Sequence, residues 1–177
     1  IADEAESTAY LASEAAGAAL LDAGMDAAEI DLILVATISS NVIMPSTACE
    51  VQRMIGAVNA TCFDLNAACT GFLFAMNTAQ AYLAQGIYKT AIVIGAESLS
   101  NLINWEDRTT CILFGDGAGA VVLKAEESGR YAQASHSDGA KGDALTCSSR
   151  NQKQFEEASK DASTYMQMDG REVFKFA

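Results

Sequence analysis

The spacing of apolar residues along this 177-residue chain predicts helices and strands in alternation. Apolar residues recur at helical intervals over residues 8–23, and Gly24 supplies a stop for that helix. A continuous apolar run over residues 31–38 is typical of a strand that is covered on both faces. The same rules predict the next elements: a helix capped by Ser46 and ended by Gly56, a strand over 61–65, a helix over 69–85 and a strand over 90–94. This alternation favours right-handed crossovers and a mainly parallel sheet.

The pattern changes after residue 94. A polar loop is predicted over residues 96–110. The apolar segments that follow are predicted to be strands added antiparallel at a sheet edge, over residues 114–123, 131–137 and 144–147. Residues 148–163 are polar and are expected to form an exposed loop. Asp169 is expected to cap a helix near the end of the chain.

Composition and charge exclude several classes of function. Half of the residues are hydrophobic, enough for one domain with a sizeable core. The net charge is −12 and Lys and Arg do not cluster, which argues against a nucleic-acid surface. No segment approaches the roughly 18 consecutive apolar residues of a membrane span. Five scattered cysteines without a CxxC pair disfavour a disulfide scaffold or a metal site, so we expect a cytoplasmic chain.

The candidate nucleophile is Cys69. The stretch Phe63–Phe72 predicts a buried strand that turns into a helix, with Cys69 at the turn. Unpaired backbone N–H groups and the helix dipole stabilise a thiolate at such a place. The alternative is that Cys69 is a small buried hydrophobic residue. The strand–turn–helix setting and the small neighbours Ala67, Ala68 and Gly71 favour the nucleophile.

Three other features invite a functional interpretation. The glycines of Gly115–Gly119 lack the Lys-Ser/Thr of a phosphate-binding loop and lead into a strand, so a structural role is favoured. Arg108 lies in a loop after a strand, where it could stack on a base or bind a phosphate. Its alternative is a solvated ion pair with Glu106. His136, the sole histidine, falls on the predicted edge strands and is interpreted as a structural or surface residue rather than a partner of Cys69.

Two motifs give the chain a specific resemblance. Asn66–Phe72 together with Phe114–Ala120 resembles β-ketoacyl-acyl carrier protein synthase III, the condensing enzyme that initiates type II fatty-acid synthesis. Supporting matches follow in the family's order at Leu34–Ile38, Pro45–Cys49, Asp107–Thr109, Ser137–Gly139 and Met168–Phe176. The resemblance implies an α/β thiolase-like fold of layers αβαβα. Residues 1–130 would form most of its N-terminal half, with a mixed sheet, and residues 131–177 an extension of that half and the start of the C-terminal half. We therefore expect a segment without the family's N-terminal start or most of its C-terminal half.

The resemblance also implies a reaction. A cysteine attacks an acyl-CoA, commonly acetyl-CoA, and forms an acyl-enzyme; malonyl-acyl carrier protein then loses CO₂, and its carbanion attacks the acyl group to give a 3-ketoacyl product. The implied partners are acyl carrier protein and a second copy of the chain in a homodimer. No cofactor is expected, because acyl-CoA and malonyl-acyl carrier protein are substrates. This segment alone is expected to be inactive.

Site residues follow from the resemblance position by position. Cys69 matches the nucleophile, and its backbone N–H matches one oxyanion donor. Positions that bind CoA and pantetheine are matched by Arg108, Met168, Gly170 and Phe174. Acyl-pocket positions are matched by Leu99, Leu113 and Phe114, with Met44 reaching across the dimer interface. The family's catalytic His and Asn are expected outside this chain.

Two departures and two alternatives remain open. Met44 stands where some members have a Phe, which favours a slightly longer or branched primer. Arg171 stands where many members have an Asn. One alternative function is a related acyltransferase, of specialised metabolism or of the hydroxymethylglutaryl-CoA synthase type. The other is a non-catalytic dimer partner, although the retained Cys69 argues against it.

Overall fold

The computed structural model describes residues 1–148 and 165–176. Most of the exposed loop expected at 148–163 therefore lies outside the described residues. The chain divides into two compact units. The first combines Ile1–Ser98 with Asp116–Gln133, and the second combines Leu99–Gly115 with the described residues from Ala134 onward. The division into 1–130 and 131–177 that the resemblance implies stays a prediction.

The first unit is built on a four-stranded mixed sheet. Its strands are β1 (Leu32–Ala36), β2 (Thr61–Leu65), β3 (Thr90–Ser98) and β4 (Asp116–Lys124), in the spatial order β2-β1-β3-β4. Strands β2, β1 and β3 are mutually parallel, whereas β4 runs antiparallel to β3. The mainly parallel sheet predicted from the alternation of elements is confirmed.

Three helices pack on this sheet: α1 (Thr8–Ala23) precedes β1, α2 (Thr47–Ile55) connects β1 to β2, and α3 (Gly71–Ala84) connects β2 to β3. Their ends follow the predicted signals. The Ser46 side chain accepts the Cys49 amide of α2 at 3.3 Å. The stop residues Gly24 and Gly56 both adopt the left-handed conformation that ends a helix, with φ of 62° and 76°.

Helices cover both faces of the sheet, and β1 is buried at all five positions, as its continuous apolar run predicts. One face of β1 and β3 packs against α1 and α2 through Ala12, Ala16, Leu20, Ile33, Val35, Ala48, Val51, Ile92 and Ile94. The other face packs against α3 through Leu32, Leu34, Ala75, Ala79, Ala91 and Val93. The sheet thus holds the start of α3 on one side and the starts of α1 and α2 on the other.

Three sequence predictions need correction. Residues 96–98 are not loop, because β3 continues to Ser98 opposite β4, which satisfies its backbone. Residues 131–137 are not a strand; they are exposed and irregular. Within 144–147, only Leu145–Thr146 (β5) is a strand, and it pairs with Gln167–Met168 (β6) in a separate sheet of the second unit rather than at the edge of the first.

The second unit ends in a short helix, α4 (Gly170–Phe176). The Asp169 side chain accepts the amides of Arg171 at 3.0 Å and Glu172 at 3.1 Å, which confirms the predicted cap. The Met166 amide donates to the Leu102 carbonyl at 2.8 Å, and both side chains are buried. These contacts join the two stretches of this unit.

Two kinds of feature are absent from residues 1–148 and 165–176. No helix there is long and apolar enough to cross a membrane. No group of three or more His, Cys, Asp or Glu side chains among residues 1–148 and 165–176 is arranged to hold a metal ion.

Candidate active site

Cys69 lies in a single 3₁₀ turn, Ala68–Thr70, that joins β2 to α3. The helix predicted from residue 69 therefore begins as this tighter turn, and α3 proper starts at Gly71. Ala68 has φ of 47°, a left-handed conformation that costs a non-glycine residue about 1–2 kcal/mol. The Thr70 hydroxyl donates to the Ala67 carbonyl at 3.1 Å and closes the turn. The Cys69 thiol is exposed at the tip of this strained turn.

Close packing fixes the position of the turn against the sheet. A Cβ added to Gly71 would lie 3.1 Å from the Cβ of Ala36, the last residue of β1. Only glycine lets the first residue of α3 approach the strand this closely. The start of α3, and with it Cys69, is therefore held at the carboxyl ends of β1 and β2. Ligands of open α/β sheets gather at this edge.

The start of α3 also leaves backbone donors without a side-chain cap. Thr70 precedes the helix, and among the described residues its side chain makes no capping hydrogen bond to α3. The first amides of a helix have no intrahelical partner and carry the positive end of the helix dipole. The Gly71 amide donates to the Ala68 carbonyl within the 3₁₀ turn. The positive end of the α3 dipole lies next to Cys69 in the chain and favours an anionic oxygen or sulfur there.

A half-buried carboxyl group lies at the same edge of the sheet. Glu97, near the end of β3, accepts hydrogen bonds from the Ile38 amide at 3.0 Å and from the hydroxyls of Thr37 and Ser39. Burial raises the pKa of Glu97 above its ordinary value, although these hydrogen bonds act in the opposite direction. Sequence reasoning missed this residue because it assigned residue 97 to a polar loop. An acidic residue three positions after the end of the predicted strand at Ile94 was the available signal.

The predicted adenine-binding residue lies in the second unit. Arg108 is exposed in a series of turns. The alternative ion pair with Glu106 is not formed among the described residues. Asp107 shapes this segment by accepting the amide and hydroxyl of Thr109 at 2.9 and 2.7 Å. These hydrogen bonds lower the pKa of Asp107, so its carboxylate is the stable form.

The remaining predicted residues are divided between the units. The second unit holds, together with Arg108, the acyl-pocket and pantetheine candidates Leu99, Leu113, Phe114, Met168, Gly170 and Phe174. Within it, Met168 of β6 pairs with Leu145 of β5. A side chain added at Gly170 would meet Met168, because its Cβ would lie 3.6 Å from the Met168 Cε. Phe174 is exposed on α4. The first unit holds Cys69 and Met44, the latter 81% exposed in the loop between β1 and α2.

The glycine motif Gly115–Gly119 and His136 show no feature of a functional site among the described residues. Gly117 and Gly119 lie within β4, opposite Glu97 and Gly95, so the glycine motif is part of a strand rather than a phosphate loop. His136 is exposed in an irregular part of the second unit.

Comparison with known proteins identifies the relatives of this chain. A family model described as 3-oxoacyl-[acyl-carrier-protein (ACP)] synthase III matches residues 63–140, which include Cys69 and the glycine motif. The β-ketoacyl-[acyl-carrier-protein] synthase III of Clostridium acetobutylicum is 51% identical over 174 residues, covering 97% of this chain and 54% of that protein.

Solved structures agree with this match. The crystal structure of 3-oxoacyl-[acyl-carrier-protein] synthase III from Aquifex aeolicus VF5 superposes with a TM-score of 0.83 at 40% identity, covering 100% of this chain and 54% of that one. The priming β-ketosynthase of the R1128 polyketide pathway gives 0.88 at 33% identity, covering 100% and 53%. The chain thus has the thiolase-like fold of these structures. The chain belongs to the 3-oxoacyl-[acyl-carrier-protein] synthase III family, and it spans about half the length of these relatives. The resemblance and the thiolase-like fold predicted from the sequence are confirmed.

Proposed function

We propose that the protein containing this chain is a condensing acyltransferase that initiates fatty-acid synthesis. The Cys69 thiolate attacks the thioester carbonyl of an acyl-CoA, acetyl-CoA being the expected primer, and CoA leaves as its thiol after taking up a proton. Malonyl-acyl carrier protein then loses CO₂, and the resulting carbanion attacks the acyl carbonyl. The Cys69 thiolate leaves, and 3-ketoacyl-acyl carrier protein is released.

The turn at Cys69 is the single observation that most supports this proposal. A nucleophile must be accessible and must lie where negative charge is stabilised. The thiol is exposed, and Cys69 directly precedes Thr70, the N-cap residue of α3. Its own amide is suited to bind the oxyanion formed when the thioester is attacked, whereas the Gly71 amide already donates to the Ala68 carbonyl. Strain at Ala68 suggests that the turn is kept for its geometry rather than for stability.

The other predicted site residues receive roles by family resemblance. Arg108 would stack on the CoA adenine, for which an exposed guanidinium is suited. The pantetheine channel would be lined by Met168, Gly170 and Phe174. The acyl pocket would be lined by Leu99, Leu113 and Phe114, and closed by Met44 of a second copy. The His and Asn that stabilise the enolate belong to a part of the family beyond the residues matched by this chain.

Partners and setting are part of the same proposal. The enzyme would work as a homodimer in the cytoplasm, with acyl carrier protein as its protein substrate and without a cofactor. Exposure of Ile43 and Met44, 93% and 81%, supports the dimer, because large apolar side chains at the tip of a loop are typical of a contact surface. The net charge of −12 makes the docking of an acidic carrier dependent on a local basic patch.

A second candidate function is the priming of polyketide synthesis. It is supported by the superposition on a priming β-ketosynthase, whose TM-score of 0.88 is as high as those of the synthase III structures, 0.83 and 0.86. Met44 agrees with it, since a flexible side chain at the pocket would admit a longer primer. The two functions share the acyl-enzyme chemistry and differ in the preferred acyl-CoA.

The test is acylation of the complete protein followed by mass spectrometry. After brief exposure to acetyl-CoA, the intact mass should rise by one acetyl group, and peptide mapping should place that group on Cys69. Malonyl-acyl carrier protein should then remove it. Cys69→Ser is the loss-of-function variant, and Cys147→Ser is the matched control, because Cys147 is the other exposed cysteine among the described residues.

Each outcome decides between the candidates. Acetylation that malonyl-acyl carrier protein discharges supports the fatty-acid function. Acylation by a longer or branched acyl-CoA, with no acetylation, favours polyketide priming. A folded protein that no acyl-CoA modifies would rule out both and leave the non-catalytic dimer partner.

A further inference from the structure

Glu97 and its hydrogen-bond donors form a cluster at the carboxyl ends of β1 and β3. The Glu97 cluster comprises Thr37, Ile38, Ser39, Glu97 and Ser98. One carboxylate oxygen of Glu97 lies 3.0 Å from the Ile38 amide nitrogen, and the other lies 3.3 Å from Thr37 Oγ1 and also accepts from Ser39 Oγ. Three donors thus converge on one half-buried carboxylate.

The hydroxyl groups of the cluster are committed to this arrangement. Thr37 Oγ1 accepts the Ser39 amide at 3.1 Å, and Ser39 Oγ accepts the Ser98 amide at 2.8 Å. With backbone N–H groups as their donors, both hydroxyls direct their own protons at Glu97. The site therefore presents donors only, and an ionised carboxylate is the side chain that offers acceptors on both oxygens.

The cluster fixes the start of the loop that joins β1 to α2. Beyond Ser39, whose carbonyl accepts the Thr8 hydroxyl at 2.8 Å, Asn41 Oδ1 accepts the Thr8 amide at 3.0 Å. The loop is thus attached to β3 through Glu97 and to the first residue of α1. The next side chains include Ile43 and Met44, which project into solvent. What holds residues 37–41 therefore sets where these two apolar side chains are presented.

A half-buried carboxylate is a costly way to hold a loop. Its burial opposes ionisation, so the same loop could be held more stably by neutral groups. Its place at the edge of the sheet that bears Cys69 points to a functional requirement for a fixed loop rather than to stability.

We propose that Glu97 is a positioning residue that sets the preference of the enzyme for its acyl-CoA primer. By fixing residues 37–41 it orients the exposed loop that carries Ile43 and Met44, and with it Met44, the side chain that closes the acyl pocket of a second copy of the chain. This inference rests on the proposed function for the role of Met44. The Glu97 cluster itself rests on the hydrogen bonds described above and lies wholly within the first unit.

The experiment compares Glu97→Gln with the wild-type complete protein. Glutamine keeps the size of the side chain but replaces one acceptor oxygen by a donor, so at least one donor of the cluster loses its partner. Asp31→Asn is the matched control: Asp31 accepts the Lys89 amide at 2.8 Å at the opposite end of β1, and the substitution makes the same change of charge. Both variants are measured by hydrogen exchange with mass spectrometry and by steady-state kinetics with acyl-CoA primers of increasing length.

In Glu97→Gln, amides of residues 38–41 should exchange at least about tenfold faster, as expected when a hydrogen bond to a charged acceptor is lost. The KM ratio between a branched four- or five-carbon acyl-CoA and acetyl-CoA should change by about threefold or more, while kcat for acetyl-CoA stays within about twofold. Asp31→Asn should leave the loop exchange and the KM ratio unchanged.

Two results would overturn the proposal. If the amides of residues 38–41 exchange as slowly in Glu97→Gln as in the wild type, Glu97 does not hold the loop. Faster exchange with an unchanged KM ratio would leave Glu97 a purely structural residue. The proposed function fails separately, if the wild-type Cys69 accepts no acyl-CoA; the primer role then falls with it, and hydrogen exchange alone decides whether Glu97 fixes the loop.

Discussion

Exchanging the side chains across the contact between α3 and β1 tests whether close packing positions Cys69. In Gly71→Ala, the new Cβ would lie 3.1 Å from the Cβ of Ala36. Carbon atoms pack best at about 3.5–4.0 Å, so the helix start must move by roughly 0.4–0.9 Å. Such overpacking typically costs about 1–3 kcal/mol, against a helix-propensity gain of at most about 1 kcal/mol. We expect a net loss of about 1–2 kcal/mol in the free energy of unfolding.

The reverse substitution makes the test specific. Ala36→Gly removes the opposing Cβ, and alone it should cost about 1 kcal/mol because a buried strand residue loses its side chain. In the double variant the Cβ of residue 71 occupies the space that Ala36 vacated. The double variant should therefore be more stable than the sum of the single effects predicts, by about 1–3 kcal/mol.

Urea unfolding of the full chain, followed by circular dichroism, measures these free energies. The rate of Cys69 alkylation by iodoacetamide, from peptide mapping, reports on the turn itself and should change in Gly71→Ala and recover in the double variant. Gly17→Ala is the control, because a Cβ there meets no atom within 4 Å and should leave stability equal or improved. Single effects that add within about 0.5 kcal/mol would refute the argument from close packing.

Three further predictions concern polar groups near α2 and β3. Thr47→Val should stabilise the chain by about 1 kcal/mol in urea unfolding, since Thr47 Oγ1 is buried and has no hydrogen-bond partner among the described residues. Asp64→Ala should destabilise it by about 1–2 kcal/mol, because the Asp64 carboxylate accepts the Thr47 and Ala48 amides at 2.8 Å each and so caps α2 from β2. For Glu97, whose pKa is raised above its ordinary value of 4.5, the ionised form is favoured in the unfolded chain. Wild type should therefore lose stability relative to Glu97→Gln as pH rises from about 4 towards neutrality, measured by urea unfolding at each pH.

Controls separate these effects from general damage. Thr47→Ser keeps the unpaired hydroxyl and should bring no gain; a loss in Thr47→Val would mean that the hydroxyl has a partner in solution. Asp64→Asn keeps one acceptor oxygen and should cost less than Asp64→Ala, and equal costs would argue against the cap. A stability difference between wild type and Glu97→Gln that is constant with pH would contradict the raised pKa.

Local patterns in the sequence were sufficient for the helices of the first unit and for the central part of its sheet. The helical spacing up to Leu21 with Gly24 behind it, and the unbroken apolar run at β1, each depend on neighbouring residues alone. The turn at Cys69 was located in the same way, since a strand and a helix must be joined there. Family motifs then supplied roles that no local pattern contains.

The features that were not predicted from the sequence depend on contacts between residues far apart in the chain. The continuation of β3 through Glu97 depends on its pairing with β4, and the partners of Glu97 lie 58–60 residues away in the chain. Strands β5 and β6 have only two residues each, too few for a periodic signal, and they pair across the residues that the structure does not describe. The left-handed backbone conformation of Ala68 could not be predicted either, because alanine has no preference for that conformation.

The interleaving of the two units has a consequence for synthesis on the ribosome. Strand β4 is translated only after Leu99–Gly115, a stretch that belongs to the other unit, has been added to the nascent chain. Until β4 leaves the exit tunnel, β3 presents a free edge formed by a long and largely buried strand. An unprotected edge of this kind is a site for pairing with other chains. A chaperone bound to the nascent chain would therefore protect this protein from such pairing chiefly in the interval between translation of β3 and of β4.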